Sequence, residues 1–111
     1  NDQSIFSILL SHNPEYVIRW LKAYGQLPAN LSLCGHTHGG QLRYPGTGFS
    51  PFCNVSDRRF LSGITQIGER FNVTSVGLGV VELPIRIACP PEVVLITLSA
   101  DTISETGNEL I

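Results

Sequence analysis

Methionine is absent from these 111 residues, tryptophan occurs once, and only 14% of the side chains are charged. So little charge beside 42% hydrophobic content excludes a disordered segment, which carries the reverse balance. No apolar run approaches the roughly 18–20 residues of a membrane-spanning helix. Seven basic and nine acidic side chains, scattered singly, give a net charge of −2 and no basic stripe of the kind that nucleic acid requires. The three cysteines, Cys34, Cys53 and Cys89, are odd in number and lack C-x-x-C spacing. That argues against a disulfide scaffold and for a reducing compartment. No signal peptide or basic transit-like segment is visible, so the Asn-x-Ser/Thr triplets at Asn30, Asn54 and Asn72 read as coincidence. The length allows one domain, and a start without Met inside a strand pattern reads as a piece of something longer.

What is present is patterned. Residues 5–10 form a nearly continuous apolar run, as expected of a strand covered on both faces. Asn13 is a good helix N-cap, and Pro14 suits a first helical position, where its missing N–H costs nothing. Val17, Trp20, Leu21 and Tyr24 then recur at helical spacing and are expected in the core. Glu15 and Arg19 can pair on the outer face, and Gly25 closes the helix. Residues 31–34 read as a second short strand. Residues 45–58, rich in glycine and proline, read as a long irregular loop. Strands are expected at 59–62, 70–75, 84–88 and 93–98, with turns at Gly63, Gly77, Gly79 and Pro90–Pro91. The fold class is therefore α/β: a strand–helix–strand unit followed by a mixed or antiparallel β meander. The acidic stretch 99–111 is expected to be a fraying, flexible tail.

The three histidines, His12, His36 and His38, fall in the two turns that follow the first two strands. A strand–helix–strand crossover makes parallel strands, so both turns lie at their carboxyl ends, the edge where open α/β sheets bind ligands. If the two strands are neighbours they run about 5 Å apart, and His12 then projects beside His36, within reach of one ion at roughly 2.0–2.1 Å from each nitrogen. In an extended segment His36 and His38 point the same way and Thr37 points away. Neutral imidazole binds Zn, Mn and Fe. The plainer alternative is three solvated or hydrogen-bonded turn side chains.

The string Gly35-His36-Thr37-His38-Gly39-Gly40-Gln41 resembles the last motif of the calcineurin-like metallophosphoesterase superfamily, and Ile8-Leu9-Leu10-Ser11-His12-Asn13-Pro14 resembles the histidine motif before it. The stretches Gly77-Leu78-Gly79, Pro84-Ile85-Arg86 and Pro91-Glu92-Val93 are similar to the C-terminal strands of its membrane-associated phosphodiesterase branch, which includes nucleotide-sugar-lipid pyrophosphatases. The resemblance implies that residues 1–98 are the C-terminal portion of a phosphoesterase domain, half of an αββα sandwich. It further implies two divalent metal ions (Mn, Zn or Fe), His12 and His36 on one and His38 on the other. Hydrolysis of a phosphodiester or pyrophosphate substrate, lipid-linked in the pyrophosphatase case, would then proceed by in-line attack of a water or hydroxide between the ions.

The superfamily's Asp-x-His, Gly-Asp and Gly-Asn-His motifs occur nowhere in this chain. With them are missing the bridging carboxylate, an asparagine ligand and the histidine usually assigned as acid, so no catalytic residue is assigned here. The expected partner is the missing N-terminal half of the same domain. Without it the chain should bind metal weakly, turn over no substrate, and expose an apolar face prone to association. Arg43 and Gln41 are the substrate-binding candidates, although Gln41 serves equally as a cap of the turn. Arg86 is expected to lie in a strand and pair with an acid, and Cys34 to be a small buried strand residue rather than a ligand. The loop 45–57 with Tyr44, Phe49 and Phe52 either walls a pocket for an apolar substrate part or packs on itself. Two other readings stay open: a single-metal, three-histidine hydrolase site, and a catalytically inactive binding module. The expected compartment is the cytoplasm or the inner face of a membrane.

Overall fold

Two short strands flank one helix at the start of the chain. In the computed structural model, which describes residues 5–100 and 103–105, strand β1 is Ile8–Ser11, helix α1 is Glu15–Tyr24 and strand β2 is Leu31–Cys34. Asn13 Oδ1 accepts from the Glu15 N–H at 3.0 Å, and Pro14 at φ −65° leads straight into the first turn, as its locked ring favours. Gly25 ends the helix in the left-handed region at φ 73°, its N–H returning to the Leu21 carbonyl at 2.8 Å.

β1 pairs in parallel with β2, and β2 in parallel with strand β4 (Arg70–Thr74). Strand β3 (Gly63–Ile67) returns antiparallel on β4 through Gly68 at φ 62°, giving a mixed sheet in the order β1-β2-β4-β3. A separate antiparallel pair joins β5 (Ile96–Leu98) to β6 (Ile103–Glu105). This is the expected α/β class, one mixed sheet with its helix, and it matches half of an αββα sandwich. Of the stretch expected to be a tail, 99–111, residues 101–102 and 106–111 lie outside the described residues.

The core sits where α1 meets one sheet face: Val17, Ile18, Leu27, Cys34, Val55, Phe60 and Leu61 pack together, with Leu9, Leu21 and Ile67 against them. Several sequence-based expectations give way here. The buried stripe of α1 is Val17 and Ile18 with half-buried Leu21 beside them, whereas Trp20 and Tyr24 are 44% and 64% exposed. They lie one ring against the other at 4.5 Å, because only the Val17–Ile18 side of this short helix faces the sheet. Glu15 does not turn to Arg19. Its carboxylate accepts from the backbone N–H and hydroxyl of Ser56 at 2.9 and 2.6 Å, which ties the helix start to the long loop. β1 is covered on one face only: Leu9 packs on the core, while Ile8 and Leu10 on the other face are 49% and 75% exposed, with no described element packed over them.

The second half of the chain departs further. Residues 58–60 form a 3₁₀ turn instead of a strand, started by Asp57 Oδ1 accepting from the Arg59 N–H, and Gly63 opens β3 rather than marking a turn. No strand forms at 84–88; a single parallel bridge joins Leu42 to Ile87, and the strand expected at 93–98 shortens to β5.

Two stability predictions follow from this packing. In urea unfolding, Phe60→Ala should cost about 3–5 kcal/mol because the ring is fully buried. Trp20→Ala should cost about 1 kcal/mol or less, as for other exposed side chains. The hydrogen bonds from Ser56 hold the Glu15 carboxyl below its ordinary value of 4.5. A lowered folded-state pKa adds stability above the unfolded value and loses it as pH falls through the folded one. The stability lost in Glu15→Gln should therefore be greatest near neutral pH and shrink as the solution is acidified below 4.5.

Candidate metal centre

The parallel ladder of β1 and β2 ends on the register pair Ser11 and Cys34, and runs one step further through the Gly35 N–H donating to the His12 carbonyl at 3.0 Å. His12 and His36 therefore leave the sheet side by side. Ser11 Oγ, donating to the Asn13 carbonyl at 3.0 Å, and the Asn13 cap hold the first turn in shape. His36 Nδ1 stands 3.2 Å from His12 Nε2, with the rings edge to face at 5.0 Å between centroids. Both side chains are exposed.

The second turn is not extended. His36, His38 and Gln41 have φ of 69°, 53° and 59°, and Gly39 and Gly40 lie at 62° and 82°, so only Thr37 in this stretch keeps a right-handed conformation. Non-glycine residues with positive φ are uncommon and concentrate at functional sites. Buried Thr37 anchors the curl, its hydroxyl donating to the Leu61 carbonyl at 2.7 Å and accepting from the Gly39 N–H at 3.0 Å. A side chain at Gly39 would collide with Val76, Arg43 and Cys89, and one at Gly40 with Ser50. The consequence is that His36 and His38 diverge. His38 Nδ1 lies 3.3 Å from the Gly79 carbonyl oxygen, and among the described residues no three His, Cys, Asp or Glu side chains converge as one metal group.

The other candidates are placed as follows. Gln41 is buried; its Nε2 donates to the Val81 and Leu83 carbonyls and its Oε1 accepts from the Val81 N–H, so it fastens 81–83 to the histidine turn. Arg43 donates from Nε to the Gly39 carbonyl at 2.8 Å and from Nη2 to Ser62 Oγ at 3.0 Å, and so lies against the turn. Arg86 lies outside any strand and grips backbone carbonyls instead of an acid. Cys34 is buried in β2, its thiol donates to Asn72 Oδ1 at 3.3 Å, and burial pushes its pKa up to about 11, which keeps it protonated and packed. In the long loop Tyr44 stacks on Phe49, which also carries the Arg58 guanidinium, while Phe52 lines a cleft of about 280 Å³ with Gln41, Val81 and Leu83. Sequence reading overlooked Ser50 and Cys89, both buried beneath the turn and bonded to its carbonyls, and Gly79, whose carbonyl meets His38. Nothing periodic marks them.

The donor set fits a divalent cation. Two nitrogens on one ion at about 2.0–2.1 Å in tetrahedral or octahedral geometry stand roughly 2.9–3.4 Å apart. The 3.2 Å between His12 and His36 lies in that range. A carbonyl oxygen only accepts, so the contact of His38 Nδ1 with the Gly79 carbonyl suits the tautomer with its proton on Nδ1, the form that offers Nε2 to a cation.

A mixed α/β sheet here presents imidazoles from two successive turns at its carboxyl edge, the edge where open α/β sheets bind ligands. Comparison with curated proteins supplies the family. The chain is 41% identical over 91 residues to the phosphodiesterase YaeI of Escherichia coli (strain K12), covering 82% of this chain and 32% of that protein. It is 35% identical over 99 residues to the uncharacterized metallophosphoesterase YkuE of Bacillus subtilis (strain 168), 86% of this chain and 32% of that protein. An uncharacterized metallophosphoesterase of Aquifex aeolicus (strain VF5) is 32% identical over 98 residues, 87% and 34% respectively. The chain belongs to the calcineurin-like metallophosphoesterase superfamily. It spans about a third of the length of these relatives. No family model and no solved structure matches it.

The crowding at Gly39 yields a contrast. Gly39→Ala, left-handed and obstructed, should destabilise by at least about 2–3 kcal/mol in urea unfolding, since strain and overpacking add. Gly46→Ala, equally left-handed but in open space, should cost about 1–2 kcal/mol.

Proposed function

We propose that this chain carries the C-terminal part of the metal centre of a metal-dependent phosphodiesterase, with His12 and His36 holding one divalent cation and His38 a second. The observation that carries the reading is the 3.2 Å approach of His12 Nε2 to His36 Nδ1 at the carboxyl ends of two parallel strands. The names of similar proteins, a phosphodiesterase and metallophosphoesterases, support hydrolysis of a phosphoester. Bound Mn, Zn or Fe ions supply the positive charge that phosphoryl oxygens need in the transition state.

The chain's own part is to hold and shape. His12 and His36 offer paired nitrogens, His38 offers Nε2, and the curled turn keeps the two sets apart, as two cation positions require. Arg43, lying against the Gly39 carbonyl, is the residue to meet a substrate phosphate. Gln41 acts on the substrate as one wall of the apolar cleft beside Phe52, Val81 and Leu83, which suits the apolar part of a lipid-linked phosphodiester or pyrophosphate. The bridging carboxylate and the proton-donating acid come from the remainder of the domain. A place in the cytoplasm or at the inner face of a membrane accords with such a substrate and with unpaired Cys34, Cys53 and Cys89.

The test is hydrolysis of bis(p-nitrophenyl) phosphate by the full natural chain loaded with Mn. Removal of the metal by EDTA should abolish turnover. His36→Ala should lower kcat/KM by more than the roughly 10–100-fold typical of groups one step removed from a metal. Undiminished turnover in that variant would remove His36 from the metal centre, and a full chain that binds no metal and turns over nothing would leave only a binding module. The isolated 111 residues should bind Mn weakly and hydrolyse nothing.

A further inference from the structure

The segment 76–95 contains no helix or strand, yet it carries the carbonyl that meets His38. Its shape is set by Arg86. Nη2 donates to the Gly79, Val76 and Gly77 carbonyls at 2.6, 2.7 and 3.2 Å, while Nη1 donates to the Cys89 carbonyl at 3.1 Å. One guanidinium thereby gathers four backbone oxygens of an otherwise irregular loop. Arg86 reaches His38 along two routes. On the ring side, the Gly79 oxygen it holds is the one facing His38 Nδ1 at 3.3 Å. On the backbone side, Nη1 also lies 3.7 Å from the Cys89 sulfur, whose thiol donates to the His38 and Gly39 carbonyls at 3.5 and 3.7 Å.

We infer that Arg86 is a positioning residue that fixes the tautomer and direction of the His38 ring through the Gly79 carbonyl. A free imidazole prefers the proton on Nε2. Here a held carbonyl opposite Nδ1 reverses that preference and turns the Nε2 lone pair outward. The planar fork is what the task needs: a lysine has the charge but cannot spread donors over the 76–79 carbonyls and Cys89 together. The use of this lone pair on a cation rests on the function proposed above; the tautomer itself does not.

The experiment is nitrogen NMR on the metal-free full natural chain labelled with ¹⁵N-histidine. Wild-type His38 should show the Nδ1–H tautomer, and finding it as Nε2–H overturns the inference whatever the variants do. In Arg86→Met the His38 signals should move to a mixture dominated by Nε2–H, with His12 and His36 unmoved, and Mn affinity should fall about 10–100-fold. Arg86→Lys, the milder change should Arg86→Met not fold, should resemble the Met variant; a wild-type tautomer in the Lys variant overturns the role of the fork. If His38→Ala retains full metal content, His38 is no ligand and the proposed function loses its second cation, while the tautomer result stands on its own.

Discussion

One pairing carries the rest: β1 lies parallel to β2, and the ladder continues a step beyond both strands, from Gly35 to the His12 carbonyl. Because a parallel crossover returns the chain to the same sheet edge, residues distant in sequence emerge as neighbours there. His12 and His36 inherit their proximity from that backbone bond rather than from mutual attraction. A slip of one residue in β1 would turn its side chains to the opposite faces, aiming Ile8 and Leu10 at the core in place of Leu9 and moving His12 out of step with His36.

The second turn contributes the opposite quality, strain. Three non-glycine residues sit at positive φ within six positions, each unfavourable by about 1–2 kcal/mol. They persist because the surroundings determine them: Thr37 buried against Leu61, Gln41 fastened to 81–83, Arg43 on the Gly39 carbonyl, and glycines where no side chain fits. The strain has a product, the divergence of His36 from His38. An extended His-x-His would aim both rings alike, at a single ion.

What could be read in the sequence follows the range of the interactions involved. Helix α1 and strand β2 are local patterns and appear where expected, the helix preceded by Asn13, whose Oδ1 accepts from the Glu15 N–H, and closed by Gly25. Crossover topology brings His12 and His36 to one sheet edge, and the adjacency of β1 and β2, which the sequence left open, pairs them. Trp20 and Tyr24 were misplaced because periodicity finds an apolar stripe but not which edge of it the sheet will cover. The region 76–95 was illegible for another reason. Its form depends on Gln41 and Arg86 donating to carbonyls many residues away, and such bonds leave no periodic trace. Gly39 was legible as a turn, but the reason it is glycine lies in Val76 and Cys89, distant in the chain.

The proposed centre requires that the first two histidines share a cation. The most direct measurement is anomalous diffraction at the zinc edge from crystals of the zinc-loaded full chain. A peak about 2.0–2.1 Å from both His12 Nε2 and His36 Nδ1 is the result predicted here. Zinc bound elsewhere, with those two nitrogens still joined to each other by a hydrogen bond, would contradict it.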